Sequence, residues 1–253
     1  MESTRALDAA VHAYLRALPT AVRNGPFTIR FDEHDDALPY NYAIPDDGAA
    51  PTAADLAALV AAFRARARTP RLEYVPQAAP EVEAALLAAG FVPEGRFPLL
   101  VCPPARVIDA ATDPAIDVSL VTTDAGLLAV AQVMNAAFEA PEATEHDVAR
   151  LRRLLDRGGL AAAATDTTTG EVVGAGQIGA PTKGVAEVAG IAVRTSHRRR
   201  GIAGAVTALL TRACAGTGVT TPFLTPADEA AGRVYERVGY RRAGDMLHIL
   251  LPG

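Results

Sequence analysis

Cysteine is scarce in this sequence. The 253 residues include only Cys102 and Cys214, and the spacing around them matches no metal-binding motif. A framework of several disulfide bonds is therefore excluded, and free thiols kept reduced inside a cell are the expectation. The same observation predicts that the protein holds no metal ion.

Long apolar runs and an excess of positive charge are also missing. Half of the residues are apolar, which is enough for a buried core, but no run is long enough to cross a membrane. The N-terminal segment is amphipathic and lacks the apolar centre of a signal peptide. With 24 basic and 29 acidic residues the net charge is −5, which disfavours a broad nucleic-acid surface. The sequence thus predicts a soluble, cytoplasmic protein that contacts neither membrane nor bulk nucleic acid.

What the sequence does contain is an alternation of helical and strand patterns. Between residues 117 and 251 the order is β-α-α-β-β-β-α-β-α-β, which is typical of a mixed sheet flanked by helices, an α/β fold. In the first half, the patterns predict a strand over 25–31 and a loop over 32–51. The helices predicted for the first half cover 3–18, 52–66 and 80–89.

A segment without periodicity divides the chain. Residues 103–115 contain three prolines, so we interpret them as a linker between a lobe at 1–102 and a domain at 116–253. On either side of it, 70–91 and 221–240 share the order strand, proline, helix, glycine, aromatic. This echo indicates two related lobes.

The stretch HRRRGIAGA at 197–205 places Arg198–Arg200 and two glycines at the start of a predicted helix. A helix N-terminus exposes N–H donors and carries partial positive charge, and the arginines add full charge. Glycine lets a ligand approach the backbone closely. Together these features predict a pyrophosphate cradle. The stretch lacks the Gly-Lys-Ser/Thr of nucleotide hydrolases and the G-x-G-x-x-G of dinucleotide-binding domains.

A strand followed by Arg198-x-x-Gly201-x-Ala203 and a helix resembles the coenzyme A motif of the GNAT superfamily of acyltransferases. The element order of 117–251 resembles that fold too, with a degenerate GNAT-like lobe before it. The resemblance implies that backbone N–H groups of Arg199–Gly204 hold the coenzyme A pyrophosphate and that Ile191–Val193 pair with the pantetheine arm. The residues it assigns to coenzyme A are Ile191, Ala192, Val193, Arg198, Arg199, Arg200, Gly201, Ile202, Ala203, Gly204 and Asp228.

Acyl transfer to an amine needs a base, a stabilised tetrahedral oxyanion and a proton donor for the thiolate. Tyr235 matches the family's Tyr-x-x-x-Gly-aromatic pattern and, protonated at pH 7, is the candidate donor; its alternative is a core aromatic. In the first lobe Leu86 stands at the equivalent position. Glu187, on the strand before the cluster, is the candidate general base or else an exposed carboxylate. Asp228, where the family often has Asn, either contacts coenzyme A or caps a helix in a box with Thr225.

The acceptor is expected to meet the segment NAAFEAPEATEH at 135–146, where Phe138 and Glu139 are the named candidates. Acidic side chains there would attract a cationic amine, and their alternative is a solvated loop. His248, on the final strand, is a second candidate for the general base and could line this pocket, or else it is a structural histidine.

The function implied by the resemblance is transfer of acetyl from acetyl-CoA to a primary amine of a small, amino-acid-like molecule. Two alternatives stay open at this point. The donor could be an aminoacyl-tRNA, or the chain could be a non-catalytic module that only binds coenzyme A thioesters. Many members of the superfamily dimerise, so the resemblance allows a monomer or a homodimer.

Overall fold

A computed structural model of the protein describes residues 2–17 and 21–253. Leu18, which the sequence places on the apolar stripe of the first helix, lies outside the described residues. The fold is mixed α/β, which confirms the predicted class. The chain forms two compact units: unit 1 comprises Met1–Leu99 and Ala243–Gly253, and unit 2 comprises Leu100–Arg242.

Unit 1 combines α-helices with a mixed sheet. Its elements are α1 (Glu2–Arg16), β1 (Ala21–Asn24), β2 (Phe27–Arg30), β3 (Tyr42–Pro45), α2 (Ala53–Arg64), β4 (Arg71–Tyr74), α3 (Val82–Ala88), most of β5 (Val92–Val101) and most of β11 (Arg241–Leu250). The strands β1, β2 and β3 are antiparallel neighbours, β3 runs parallel to β4, and β4 is antiparallel to β11. Thr52 and Asp55 form the predicted capping box at the start of α2.

One prediction for the first half of the chain is confirmed and one is wrong. The strand predicted at 25–31 is confirmed as β2, although its hairpin partner β1, before the turn at Gly25 with φ +53°, was not predicted. The loop predicted at 32–51 contains β3, whose four residues are all buried. Turn-forming residues on both sides of this short apolar strand conceal it in the sequence.

Unit 2 follows the predicted element order. Its elements are β6 (Ile116–Leu120), α4 (Asp124–Ala137), α5 (Glu145–Asp156), β7 (Leu160–Asp166), β8 (Val172–Ile178), β9 (Val185–Val193), α6 (Ile202–Ala213), β10 (Thr221–Leu224) and α7 (Glu229–Val238). The strands β6 to β9 form an antiparallel meander, and β10 then runs parallel to β9. On its other side, β10 pairs antiparallel with Leu100 and Val101 of β5.

The predicted domain boundaries differ from these units. Residues 243–253, predicted to close the second domain, join unit 1, because 247–250 of β11 pair with Arg71–Tyr74 of β4. The predicted linker 103–115 falls within unit 2 and packs against it. The difference arises from long-range pairing, which composition does not report.

Small side chains in β7 and β8 bring a helix close to each face of the unit 2 sheet. On one face α4 packs through Leu127 and Val130 against Ala163 and Ala175. On the opposite face, a methyl group built on Gly176 would lie 2.8 Å from Val206 of α6. This close approach fixes the position of α6, whose N-terminus carries the predicted cradle.

Candidate donor-binding and catalytic site

The turn between β9 and α6 has an unusual backbone. After β9, a short 3-10 turn at Thr195–His197 leads to Gly201, the N-cap of α6, which has φ +79°. Arg199 also has a positive φ, +65°, which is strained for a residue with a side chain and is found preferentially at functional positions. Left-handed residues in such a turn aim neighbouring N–H groups into one concavity that suits an anion.

The N–H groups of this turn have no partners. Within the described chain, no acceptor meets the backbone N–H groups of residues 199–204, and Gly201 provides no side-chain cap. The next amide, that of Ala205, donates to the Gly201 carbonyl at 3.1 Å. A run of free donors at the positive end of a helix is a binding site for phosphate groups.

The three arginines of the cluster have different surroundings. Arg200 donates from Nε to Asp113 at 2.9 Å and from Nη1 to Asp166 at 3.3 Å. Hydrogen bonds from Thr168 and then from Arg200 hold the pKa of the Asp166 carboxyl well below its usual range. The Arg200 side chain is therefore committed to the fold, and only its backbone faces the cradle. In the described chain the side chains of Arg198 and Arg199 have no ion pair or hydrogen bond.

The predicted linker closes over the same turn. Asp113 N–H and the Thr112 hydroxyl both donate to the Arg200 carbonyl, at 3.1 Å each. A methyl group built on Gly201 would lie 2.1 Å from the Ala111 carbonyl oxygen, so this crossing requires glycine. Sequence reasoning missed this role, because nothing in the composition of 103–115 reports the contact.

These elements enclose a pocket of about 750 Å³. The predicted coenzyme A residues that line it are Val193, Arg198, Arg199, Gly201, Ile202, Ala203 and Gly204. One wall is formed by Asp109, Ala110 and Ala111 of the predicted linker, and another by Val234 and Arg237 of α7. The side chains of Ile191, Ala192, Arg200 and Asp228 do not line this pocket.

The strand edge beside the pocket is open. The parallel ladder between β9 and β10 covers only Val185, Ala186 and Glu187 of β9. Farther along, Ala192 and Val193 still pair with β8 on the other side, but the ladder to β10 has ended. The register with β8 also shifts next to Gly190, which has φ +65°. Residues Ile191–Val193 thus offer backbone groups to which an extended amide chain can add as a strand.

Tyr235 lies on α7, half-buried, with its ring edge-on to Tyr240 at 6.3 Å between centroids. Burial, and then the charge of Asp228, raises the pKa of the Tyr235 phenol to about 12. The phenol therefore stays protonated throughout the physiological range, more firmly than the ordinary pKa near 10 suggests. Within the described residues its hydroxyl has no hydrogen-bond partner, so it can donate to a ligand. Tyr235 is not among the residues that line the pocket, although Val234 is.

Asp228 is the N-cap of α7. Its carboxylate accepts from Ala231 N–H at 2.7 Å, and the helix begins at Glu229. The capping interpretation is thereby confirmed, but the predicted box with Thr225 is wrong, because Asp228 itself is the cap. This role accounts for the residue without any contact to coenzyme A.

Glu187 is placed on the face of the sheet that carries α4. Its strand neighbour Ala189 pairs with Gln177, which shares a face with Ala175 of the α4 core. Glu187 is half-buried at the last paired position of β9 before the open edge. The candidate base thus lies where the splay between β9 and β10 begins.

Phe138 and Glu139 follow α4 directly, in the connection to α5. Both are exposed, with Phe138 at 59%. A large exposed aromatic next to acidic side chains is unusual on a surface, but the structure does not bring either residue into the pocket at α6.

His248 has its contacts within unit 1. Arg71 donates to its Nδ1 at 3.1 Å, and Glu73 lies 3.8 Å from its Nε2. The Phe97 ring packs against it, tilted by 44° with 4.5 Å between centroids. Burial lowers the pKa of His248, so the neutral ring is favoured. These contacts describe a histidine engaged in an ion-pair cluster, the alternative that the sequence left open.

Within residues 2–17 and 21–253, no three His, Cys, Asp or Glu side chains gather as a possible metal site. Over the same residues, no helix combines the length and the apolar character that crossing a membrane requires.

Comparison with known proteins finds a family model that matches the part of the chain containing this site. Residues 127–240 match the model of the acetyltransferase (GNAT) family. A structure described as a GCN5-related N-acetyltransferase from Kribbella flavida is 25% identical, covers 99% of this chain and 95% of its own, and superposes with a TM-score of 0.78. A tandem GNAT protein from the clavulanic acid biosynthesis pathway is 14% identical over 96% of this chain and 87% of its own, with a TM-score of 0.62, and shares the fold. No curated protein sequence matches the chain.

Proposed function

We propose that this chain, whose residues 127–240 match the model of the acetyltransferase (GNAT) family, transfers an acetyl group from acetyl-CoA to a primary amine of a small molecule. The observation that carries the proposal is the run of free N–H groups at 199–204, beside the unpaired guanidinium groups of Arg198 and Arg199. This arrangement supplies the donors and the charge that a diphosphate requires.

The open edge of β9 supports the same donor. Coenzyme A is a long ligand, and its amide-bearing arm can extend from the cradle along Ile191–Val193. The walls contributed by Ala110 and Val234 are apolar and suit the arm and the adenine ring. The residues present therefore fit coenzyme A.

The chemistry divides between Glu187 and Tyr235. When bound, the thioester supplies a carbonyl carbon that forms a C–N bond with the amine while the C–S bond breaks. Glu187 takes the proton from the amine through water. Because the Tyr235 pKa of about 12 exceeds the usual thiol value near 8.5, Tyr235 hydrogen-bonds to the departing sulfur rather than losing its proton. The nitrogen releases a second proton as the amide forms, and that proton neutralises the thiolate, while the proton taken by Glu187 passes to solvent.

The proposed binding surface for the acceptor amine is chosen by the charge of its side chains. Glu139 and the exposed Phe138 offer an acidic, partly apolar surface to an amine that is cationic in water.

Unit 1 repeats the order strand, helix, strand, helix in β3-α2-β4-α3. Its loop between β3 and α2 carries Asp46 and Asp47 instead of arginines, so we assign unit 1 a structural or acceptor-shaping role.

Calorimetric titration with acetyl-CoA, followed by thiol release with a panel of small amines, tests the proposal. Binding with amine-dependent release is the expected result, and the double variant R198Q/R199Q should bind far more weakly. Binding with no release for any amine would favour the non-catalytic module. Absence of binding in the unaltered protein would overturn the proposal and make aminoacyl-tRNA the next donor to test.

A further inference from the structure

A third arginine faces the donor pocket from a different element. Arg237 lines the pocket from α7, opposite the turn that holds Arg198 and Arg199. The family pattern used above covers Tyr235, Gly239 and Tyr240 and says nothing of the residue between them. Arg237 thus has a placement that the cradle does not explain.

The pairing of the neighbouring arginines sets Arg237 apart. Arg233, one turn earlier on α7, pairs with Glu229 at 2.7 Å. Arg212 on α6 pairs with Asp109 at 2.7 Å, so the one acidic residue in the pocket wall already has a counter-ion. In the described part of the chain the Arg237 side chain has no ion pair and no hydrogen bond. An exposed guanidinium that lines a pocket whose single carboxylate is already paired is available to an anion.

Packing fixes Arg237 close to the cradle. A methyl group built on Gly204 would lie 3.7 Å from both Val234 and Val238 of α7. These residues flank Arg237, and Gly204 belongs to the first turn of α6. The turn of α7 that carries Arg237 is therefore packed against the first turn of α6, and Arg237 lines the same pocket as Arg198 and Arg199.

We propose that Arg237 binds the 3′-phosphate of coenzyme A and so makes the site selective for coenzyme A over 3′-dephospho-coenzyme A. The inference rests on the proposed function, because it presumes that the cradle holds the diphosphate. The 3′-phosphate and the diphosphate are attached to the same ribose. A ligand whose diphosphate occupies the cradle presents its other phosphate nearby, where Arg237 can bind it through two parallel N–H donors.

A double-mutant cycle on binding tests the assignment. Dissociation constants are measured by calorimetry for coenzyme A and 3′-dephospho-coenzyme A, with the unaltered protein, R237Q, R237K and R233Q. R233Q removes the same charge from the same helix at a residue that does not line the pocket. Circular dichroism verifies that each variant is folded.

The unaltered protein should bind coenzyme A about 10-fold more tightly than the dephospho form, since hydrogen bonds to charged groups are worth about that factor. R237Q should remove this preference by weakening only coenzyme A, R237K should keep part of it, and R233Q should keep all of it. Equal affinity of the unaltered protein for both ligands, or equal weakening of both by R237Q, would overturn the assignment. Failure of the unaltered protein to bind either ligand would instead overturn the proposed function.

Discussion

Acid should destabilise this protein through one buried histidine. The His12 imidazole on α1 is fully buried in unit 1. Its Nε2 accepts from Val75 N–H at 2.9 Å, and its Nδ1 lies 3.0 Å from Asp47. The ring is therefore neutral, with its proton on Nδ1. A second proton would place an N–H against the N–H of Val75, in a fully buried site.

The magnitude follows from the shift in pKa. Burial lowers the pKa of His12 from 6.5 to about 4, against the smaller opposing effect of Asp47. Because the folded-state pKa is the lower one, the contribution is complete above pH 6.5 and is lost as the pH falls toward 4. At 1.36 kcal/mol per pKa unit the full contribution is about 3 kcal/mol, of which about 2 kcal/mol is lost by pH 5.

Urea unfolding followed by circular dichroism measures this loss, since the chain has no tryptophan to report it by fluorescence. The variant H12Q keeps an acceptor for Val75 N–H but cannot titrate. Between pH 7.5 and pH 5 the unaltered protein should lose about 2 kcal/mol more than H12Q. H34Q, which removes an imidazole at an exposed position, should behave like the unaltered protein. Equal acid losses in H12Q and the unaltered protein, or a His12 NMR titration near pH 6.5, would refute the reasoning.

Three further predictions concern unit 2. Y235F should lower kcat by up to about 10²-fold and leave the dissociation constant of acetyl-CoA unchanged; reduced affinity at constant kcat would assign Tyr235 to packing. D228A should destabilise the protein by about 1 kcal/mol, while D228N, which can also cap, stays near neutral, and calorimetry should find donor affinity unchanged in both. A loss of donor affinity in either variant would support the predicted contact between Asp228 and coenzyme A. G201A should unfold at lower urea than G170A, because both glycines have positive φ but only a side chain at Gly201 meets the Ala111 carbonyl. Similar urea midpoints for the two variants would show that the segment around Ala111 can move to accommodate a side chain at position 201.

The sequence predicted the elements of unit 2 and the glycine turn before α6 because both depend on local signals. Apolar periodicity marked β9 and α6, and the glycines and arginines between them marked the turn. The free N–H groups at 199–204 follow from a helix start without a capping side chain, which is readable from the residues themselves. A capping role for Asp228 was readable too, although the predicted box began at Thr225, three residues before the observed N-cap.

What the sequence did not predict depends on contacts between distant residues. The Tyr42–Pro45 strand is four residues long, and its burial comes from neighbours that the local pattern does not contain. The segment 103–115 has the composition of a tether, yet Thr112 and Asp113 hold it to the Arg200 carbonyl. That the Arg237 guanidinium is unpaired among the described residues depends on which carboxylates Arg212 and Arg233 bind, and the sequence does not report those pairs.

Unit 1 is built from two segments that lie on either side of unit 2 in the chain, and this order has a consequence during translation. Residues 243–253 belong to this unit, yet they follow the whole of unit 2 in the chain. On the ribosome, β4 must wait for its partner β11 until residues 100–242 have been translated, and it presents an unpaired edge during that interval. Unit 2 can therefore complete its sheet first, and translation that ends before residue 243 would give a chain with all of unit 2 and an incomplete unit 1.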